Sequence, residues 1–284
     1  MTNQNNHIGV VGSGTMGNGI AHVFAQSNYK VSLIDLDINI LEKAVKVISK
    51  NMQRQFKKGL IAESDMMAAL ENITISTDIN CLDKCFIVIE AASENEKVKA
   101  NIFKNLDSIC NPNAILASNT SSISITKIAS STNRPDKVIG MHFMNPVPIM
   151  KLIEVIKGDQ TSVETLQTIL DVSKKLNKIA LECNDSPGFI SNRILMPLIN
   201  EAAYCLMEGI AGEESIDGIM KLGMGHPMGP LMLADLIGID VCVSIMRVLE
   251  DGLKSDKYAP CPLLLDMVKS NKLGKKTNEG FYRY

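Results

Sequence analysis

Two textures follow one another along this chain. Up to about residue 183, short runs rich in β-branched residues alternate with longer stretches whose apolar positions recur every three or four residues. His7–Val11, Lys30–Ile34, Ile73–Ser76, Phe86–Ile89, Ile115–Ala117 and Val138–Met141 read as strands. Thr15–Gln26, Asn39–Lys58, Glu96–Ile109 and Ser124–Ala129, lying between them, read as amphipathic helices. Two further strand-like runs, 151–156 and 178–183, flank a helical stretch at Val163–Lys175. Alternation of this kind predicts an α/β domain, a mainly parallel sheet covered by helices on both faces.

The texture changes at Asn184-Asp185-Ser186-Pro187-Gly188. Pro and Gly punctuate the chain there, and Ser186 is placed to cap a helix whose first residue is Pro187. Beyond it strand-like runs nearly vanish, and Phe189–Glu208, Ser215–Leu222, Gly229–Ile237, Val241–Leu253 and Leu263–Asn271 read helical. The expected organisation is a first domain over 1–185 and an all-helical C-terminal domain over 186–284.

Charge and composition narrow the function classes. Lys and Arg number 29 against 31 Asp and Glu, so no global basic field exists to hold nucleic acid. There is no Trp and aromatics make up 4%, too few for base-stacking platforms. Seven Cys are scattered without a CxxC pair or a nearby His, so no metal site is expected and the thiols read as reduced. Met1–Asn6 is polar and resembles no export signal, and no uncharged apolar run is long enough to span a membrane. A soluble cytoplasmic protein is expected.

The strongest chemical signal follows the first strand. Gly12-Ser13-Gly14-Thr15-Met16-Gly17 is a GxGxxG turn that opens a helix. The first Gly allows the tight turn, the second lets a pyrophosphate approach the backbone, and the third lets helix and strand pack closely. The helix N-terminus offers N–H groups to the phosphates. Asp35 ends the second strand at the spacing where a carboxylate takes the ribose hydroxyls. Leu36 and Asp37 follow it rather than an Arg, which favours NAD over NADP. The first domain is therefore expected to be of the Rossmann type. Asn28 stands where the first helix must stop, a position suited to the left-handed conformation.

A second signal lies in a hairpin. His142 and Glu154 are equidistant from residue 148, inside a loop broken by Pro146 and Pro148. If the flanking strands pair antiparallel about that loop, imidazole and carboxylate face one another, as in a base held by its orienting acid. Ser118-Asn119-Thr120-Ser121-Ser122 follows a strand, where its hydroxyls can bind a ligand or cap the next helix. Asn192 lies one turn after Gly188 and could point into a cleft between the domains. Lys50, Arg54, Lys57 and Lys58 share a helical face that either binds a phosphorylated handle or is simply solvated.

Several segments in order carry a family resemblance. GSGTMGNGIA at 12–21, SNTSS at 118–122 and GMHFMNPVPIMKLIEV at 140–155 are joined by DSPGFISNRI at 185–194, HPMGP at 226–230 and EGFYRY at 279–284. Together they resemble the 3-hydroxyacyl-CoA dehydrogenases in their short stand-alone form. The resemblance implies NAD-linked interconversion of (S)-3-hydroxyacyl-CoA, foremost 3-hydroxybutyryl-CoA, with the 3-ketoacyl-CoA. It implies His142 as general acid/base with Glu154 as partner, and Ser121 and Asn192 as substrate contacts. Glu94, Lys99, Asn145 and Lys276 match positions near the cofactor. The CoA contacts fall on the long basic helix, at Lys58, at Asn51 where the family has Ser, and at neighbouring Arg54. A homodimer through the C-terminal domain is likewise implied. Asn278 replaces a Gly common in the family. Two other readings compete: a dehydrogenase of a free 3-hydroxy acid or sugar acid, and a non-catalytic relative of the fold. The His142/Glu154 hairpin and the basic helix argue against the first. Ser121, His142, Glu154 and Asn192 together argue against the second.

Overall fold

The computed structural model of the protein describes residues 6–284. The polar start read for an export signal lies, except for Asn6, outside the described residues. The described chain divides into two compact units, one ending at Asp185 and one running from Ser186 to Tyr284.

The first unit is built on an eight-stranded sheet. Its strands are β1 His7–Val11, β2 Lys30–Ile34, β3 Ile73–Ser76, β4 Ile87–Glu90, β5 Ile115–Ser118, β6 Val138–Phe143, β7 Leu152–Lys157 and β8 Ile179–Asn184. Their order is β3-β2-β1-β4-β5-β6-β7-β8. All neighbours pair parallel except β6 and β7, which are antiparallel. The central strands are buried on both faces, which is why β1 and β4 read as unbroken apolar runs rather than alternating ones.

Six helices accompany the sheet: α1 Thr15–Gln26, α2 Ile38–Lys57, α3 Glu63–Glu71, α4 Glu96–Ile109, α5 Ile125–Ala129 and α6 Val163–Lys175. Side-chain oxygens start four of them. Asp37, Asn95, Ser124 and Ser162 accept the N–H of Asn39, Val98, Lys127 and Thr165. Asn28 closes α1 with φ of 63°. Helix α3 is absent from the sequence reading. Ala69 is its one buried residue, so its apolar stripe is too narrow to show as a period. Ile20, Phe24, Leu33, Leu41, Ile48, Ile87 and Ile89 are all fully buried in the core between sheet and helices.

The second unit holds α7 Ser191–Met207, α8 Glu213–Leu222, α9 Pro230–Ile237, α10 Ile239–Leu253 and α11 Pro262–Lys269. No helix among the described residues is long and apolar enough to cross a membrane. Its start corrects the sequence reading. The helix expected from Pro187 begins at Ser191, because Gly188 and Phe189 have φ of 72° and 52°. Two left-handed residues in succession cannot continue a right-handed helix. The turn they form packs tightly, for a Cβ on Gly188 would lie 2.5 Å from Leu249 on α10. Two buried carboxylates hold the C-terminal tail. Asp235 accepts Phe281 N, Tyr282 N and the Tyr284 hydroxyl, and Asp217 accepts the Tyr282 hydroxyl. The tail lies tightly against Asp235, which a Cβ on Gly280 would strike at 2.0 Å.

One core residue of the first unit is titratable. His22 on α1 is 1% exposed and neither ring nitrogen has a hydrogen-bond partner. Burial pushes its pKa down to about 4, against the opposing effect of the nearby Gln26 and Gln55 side chains, which are bonded to each other at 2.6 Å. A base with its folded pKa lowered binds its proton more readily when unfolded. Stability therefore falls as pH drops below 6.5, the ordinary histidine value, and the loss is complete below about 4. Chemical unfolding should show about 3 kcal/mol of this loss across that window. His22→Gln should flatten it, and an unchanged pH slope in the variant would assign the acid sensitivity elsewhere.

Candidate active site

Parallel strands present their carboxyl ends on one edge of the sheet, and the polar residues collect there. At β1 the chain turns through Gly12, whose φ is 95° and whose Cβ would press within 2.7 Å of the Ala91 carbonyl. Gly17 sits so close that a Cβ would meet the Gly12 carbonyl at 1.7 Å. Gly14 differs. Its φ of −59° suits any residue, and a Cβ there would touch nothing within 4 Å. Space is thus kept above Gly14, at the start of a helix with no capping side chain and no acidic residue in its first turn. Thr15 and Met16 begin that helix. This cradle fits a pyrophosphate.

Asp35 follows β2. Its Oδ2 accepts both the N–H and the hydroxyl of Ser13, each at 2.7 Å, and its Oδ1 accepts Leu36 N at 2.8 Å. Three protein donors fix the carboxylate beside the glycine turn, with lone pairs remaining for ribose hydroxyls. A 2′-phosphate brought here would meet a fixed negative charge, with the exposed Leu36 and Asp37 next in the chain.

The strand ends at β4 and β5 are joined by carboxylates. Glu94 Oε1 accepts Thr120 Oγ1 at 2.5 Å, the N–H of Ser121 and Ser122 at 3.0 and 3.1 Å, and both their hydroxyls. Burial raises the Glu94 pKa, but the Lys99 charge and these donors outweigh it and hold it low. Lys99 is 1% exposed, its Nζ 2.7 Å from Glu90 and 3.4 Å from Glu94. Ser124, not the Ser118–Ser122 segment, caps α5. Asn119 ties that segment to β6 by accepting Phe143 N at 2.9 Å.

In the antiparallel ladder His142 stands directly opposite Glu154. Nδ1 lies 3.0 Å from Glu154 Oε2, with the residues 9% and 5% exposed. An imidazole whose Nδ1–H is held by a carboxylate keeps its basic lone pair on Nε2. The hairpin loop carries Asn145 on its exposed part and packs Val147 against α1, where a Cβ on Gly19 would be 2.8 Å away. Lys178 Nζ donates to the carbonyls of Val147 and Met150 at 2.7 and 2.6 Å, pinning the loop from beneath.

Gly12, Ser13, Gly14, Asp35, Glu94, Lys99, Ser121, Asn145, His142 and Glu154 all belong to the first unit; Lys99 stands in the first turns of α4 and the others lie near strand ends or in the loops that join them. On α2, Lys50, Arg54 and Lys57 are exposed, as is Lys58 just past its end, and Asn51 is half-buried. Asn192 and Lys276 belong to the second unit. Asn192 is 8% exposed on α7, and Lys276 pairs with Asp240. Glu90 and Lys178 escaped the sequence reading, as did the tether to β6 made by Asn119, which was read only within its polar segment. Glu90 carried a usable signal, an acid directly ending an apolar strand as Asp35 does.

Known proteins resemble the chain over nearly its whole length. Residues 7–186 match the family described as 3-hydroxyacyl-CoA dehydrogenase, NAD binding domain, and residues 188–284 match its C-terminal domain. The chain is 52% identical over 275 residues to a Bacillus subtilis protein named "Probable 3-hydroxybutyryl-CoA dehydrogenase", covering 97% of this chain and 96% of that one. It is 47% identical to 3-hydroxybutyryl-CoA dehydrogenase of Clostridioides difficile, over 98% of this chain and 99% of the other. The crystal structure of (S)-3-hydroxybutyryl-CoA dehydrogenase from Ralstonia eutropha superposes with a TM-score of 0.96 at 46% identity, covering 99% of each chain.

The three glycines make a test. Gly14→Ala should fold with a stability change under about 1 kcal/mol, since its methyl meets no protein atom. The same variant should lose NADH binding at least tenfold in a fluorescence titration. Unimpaired binding would mean that the space above Gly14 is not where the pyrophosphate lies.

Proposed function

The chain belongs to the 3-hydroxyacyl-CoA dehydrogenase family, and we propose that His142, oriented by Glu154, is the general acid/base of its reaction. The activity is that of an NAD-dependent 3-hydroxyacyl-CoA dehydrogenase. Its substrate is proposed to be (S)-3-hydroxybutyryl-CoA, with acetoacetyl-CoA as product. The single observation that carries the mechanism is the 3.0 Å contact between His142 Nδ1 and Glu154 in a nearly buried pair.

Bound nicotinamide supplies the hydride acceptor. A secondary alcohol releases hydride only as its hydroxyl proton leaves, and His142 Nε2 is the proposed acceptor of that proton. Glu154 stabilises the imidazolium that results. In the opposite direction the same imidazolium returns the proton to the forming alkoxide. Ser121 is the proposed hydroxyl contact to substrate, held in place by Glu94. Asn192 is the proposed amide contact. Asn145 and Lys276 are proposed to act near the cofactor. Lys99 is read differently: with its ammonium turned to Glu90 and Glu94, it serves the cofactor side by holding Glu94.

The exposed cations of α2, with Asn51 beside them, are the proposed site for the CoA phosphates. A homodimer through the helical unit is proposed from its large apolar surface residues, among them Ile194, Ile219 and Leu222, which are 68%, 61% and 90% exposed. Seven free cysteines fit a reducing, cytoplasmic setting.

His142→Gln should lower kcat for acetoacetyl-CoA reduction by about 10²- to 10⁴-fold while NADH still binds. Turnover near that of the parent would remove the histidine from its role. Arg54→Glu should raise the KM for acetoacetyl-CoA about tenfold and leave that for NADH unchanged. Equal shifts for both would assign the basic face elsewhere. Light scattering should give a mass near twice the chain's 31.0 kDa.

A further inference from the structure

Glu90 ends β4 and is 0% exposed. Its Oε1 accepts Ala92 N and Lys99 Nζ, each at 2.7 Å, and its Oε2 accepts the Ser118 hydroxyl at 2.7 Å. A charge so deeply buried is tolerated only with every such donor in place. From Glu90 two routes lead to Ser121. One runs through Lys99 Nζ to Glu94 Oε2 at 3.4 Å, and Glu94 Oε1 receives the N–H of Ser121 at 3.0 Å. The other runs through Ser118 Oγ, which accepts Thr120 N at 3.2 Å. Thr120 Oγ1 then binds Glu94 on one side and accepts Ser122 N and Ile123 N on the other.

We propose that Glu90 is a positioning residue for the dehydrogenase reaction, setting where Glu94 and Ser121 stand from below both loops. The proposal rests on Ser121 being a substrate contact. Its physics is a competition for one ammonium. Lys99 is closer to Glu90 than to Glu94, so Glu94 keeps its Oε1 for the serine segment. Without the Glu90 charge, the buried ammonium has only Glu94 left as a nearby counter-ion. Glu94 is then drawn toward Lys99, and Ser121 and Ser122 lose the acceptor that orders them. Removing the Lys99 charge as well should end the competition and return Glu94 to the serines.

The test uses the full chain with NADH and acetoacetyl-CoA, and the variants Glu90→Gln, Lys99→Met, Ser121→Ala and their pairs, with thermal melting to verify folding. Glu90→Gln should lower kcat about 10- to 100-fold. The pair E90Q/K99M should exceed E90Q by at least threefold while staying below the parent, because Lys99 also holds Glu94. The pair E90Q/S121A should be little worse than S121A, because both changes remove one contact. A residue that merely stabilises the sheet would shift melting, multiply with S121A and gain nothing from K99M. If S121A keeps full kcat, the reading of Ser121 fails and this proposal with it. If S121A is impaired while E90Q stays within twofold of the parent, or the two losses multiply, the proposal alone is overturned. Should E90Q not fold, Ser118→Ala cuts the Oε2 route. Its kcat should fall at least threefold without multiplying with S121A, and the opposite result overturns the proposal.

Discussion

The register between β6 and β7 is the constraint on which the site depends. Side chains alternate faces along a strand, so a slip of one residue would oppose His142 to Ile153 or Val155 instead of Glu154. Three features lock the pairing. Gly140 faces Ile156, and a Cβ there would come within 2.8 Å of the Ile156 side chain, so that cross-strand position accepts no larger residue. Lys178 grips two carbonyls of the connecting loop from the neighbouring strand's approach. Asn119 holds the far end of β6 through Phe143 N. The imidazole and carboxylate meet because the register sets them opposite one another at that rung.

This one antiparallel step also decides where the pair lies. Strands β1, β2, β4, β5 and β6 all run the same way, so the glycine turn, Asp35, Glu90, Ser118 and His142 reach one edge of the sheet. Glu154 comes near the start of β7, and only a strand running the opposite way brings its start to that edge. A parallel β7 would have carried the carboxylate to the other end. Packing then joins the hairpin to the dinucleotide helix, where Gly19 on α1 makes room for Val147.

How much of this was legible follows from what kind of signal each part leaves. The strands and α1 were readable because burial on both faces or on one stripe writes a period into the sequence. Asp35 and the glycines were readable because their spacing is set by one strand and one turn. The His142/Glu154 pair was readable by symmetry about residue 148, since a hairpin is a local object. Helix α3 was not, having one buried residue, and the turn at 187–190 was not, because a left-handed Phe189 runs against that residue's own preference and leaves no local signal. The bond of Glu90 to Ser118 and the tethers made by Asn119 and Lys178 were not, because these partners lie 24 to 31 residues away and pairing across strands leaves no fixed spacing. What the local sequence does record is the oddity of a charge at the end of an apolar strand. Asp35 was read from its place in a known turn, while Glu90, equally placed, had no such frame.

Four carboxylates stand around a site proposed to hold two polyanionic ligands, and this would be self-defeating if their charges were loose. None is. Asp35 is bound by Ser13 and Leu36, Glu94 by the serine segment and Lys99, Glu90 by Lys99, Ser118 and Ala92, and Glu154 by His142. Each negative charge is spent on a protein donor, short and partly or wholly shielded from water, so its field toward a ligand is local. The groups offered to phosphates are of the other sign, an uncapped α1 N-terminus and the exposed cations of α2. The acidic groups can therefore set geometry while the electropositive ones set affinity. That division lets a chain of net charge −2 serve two anionic ligands without a global basic surface.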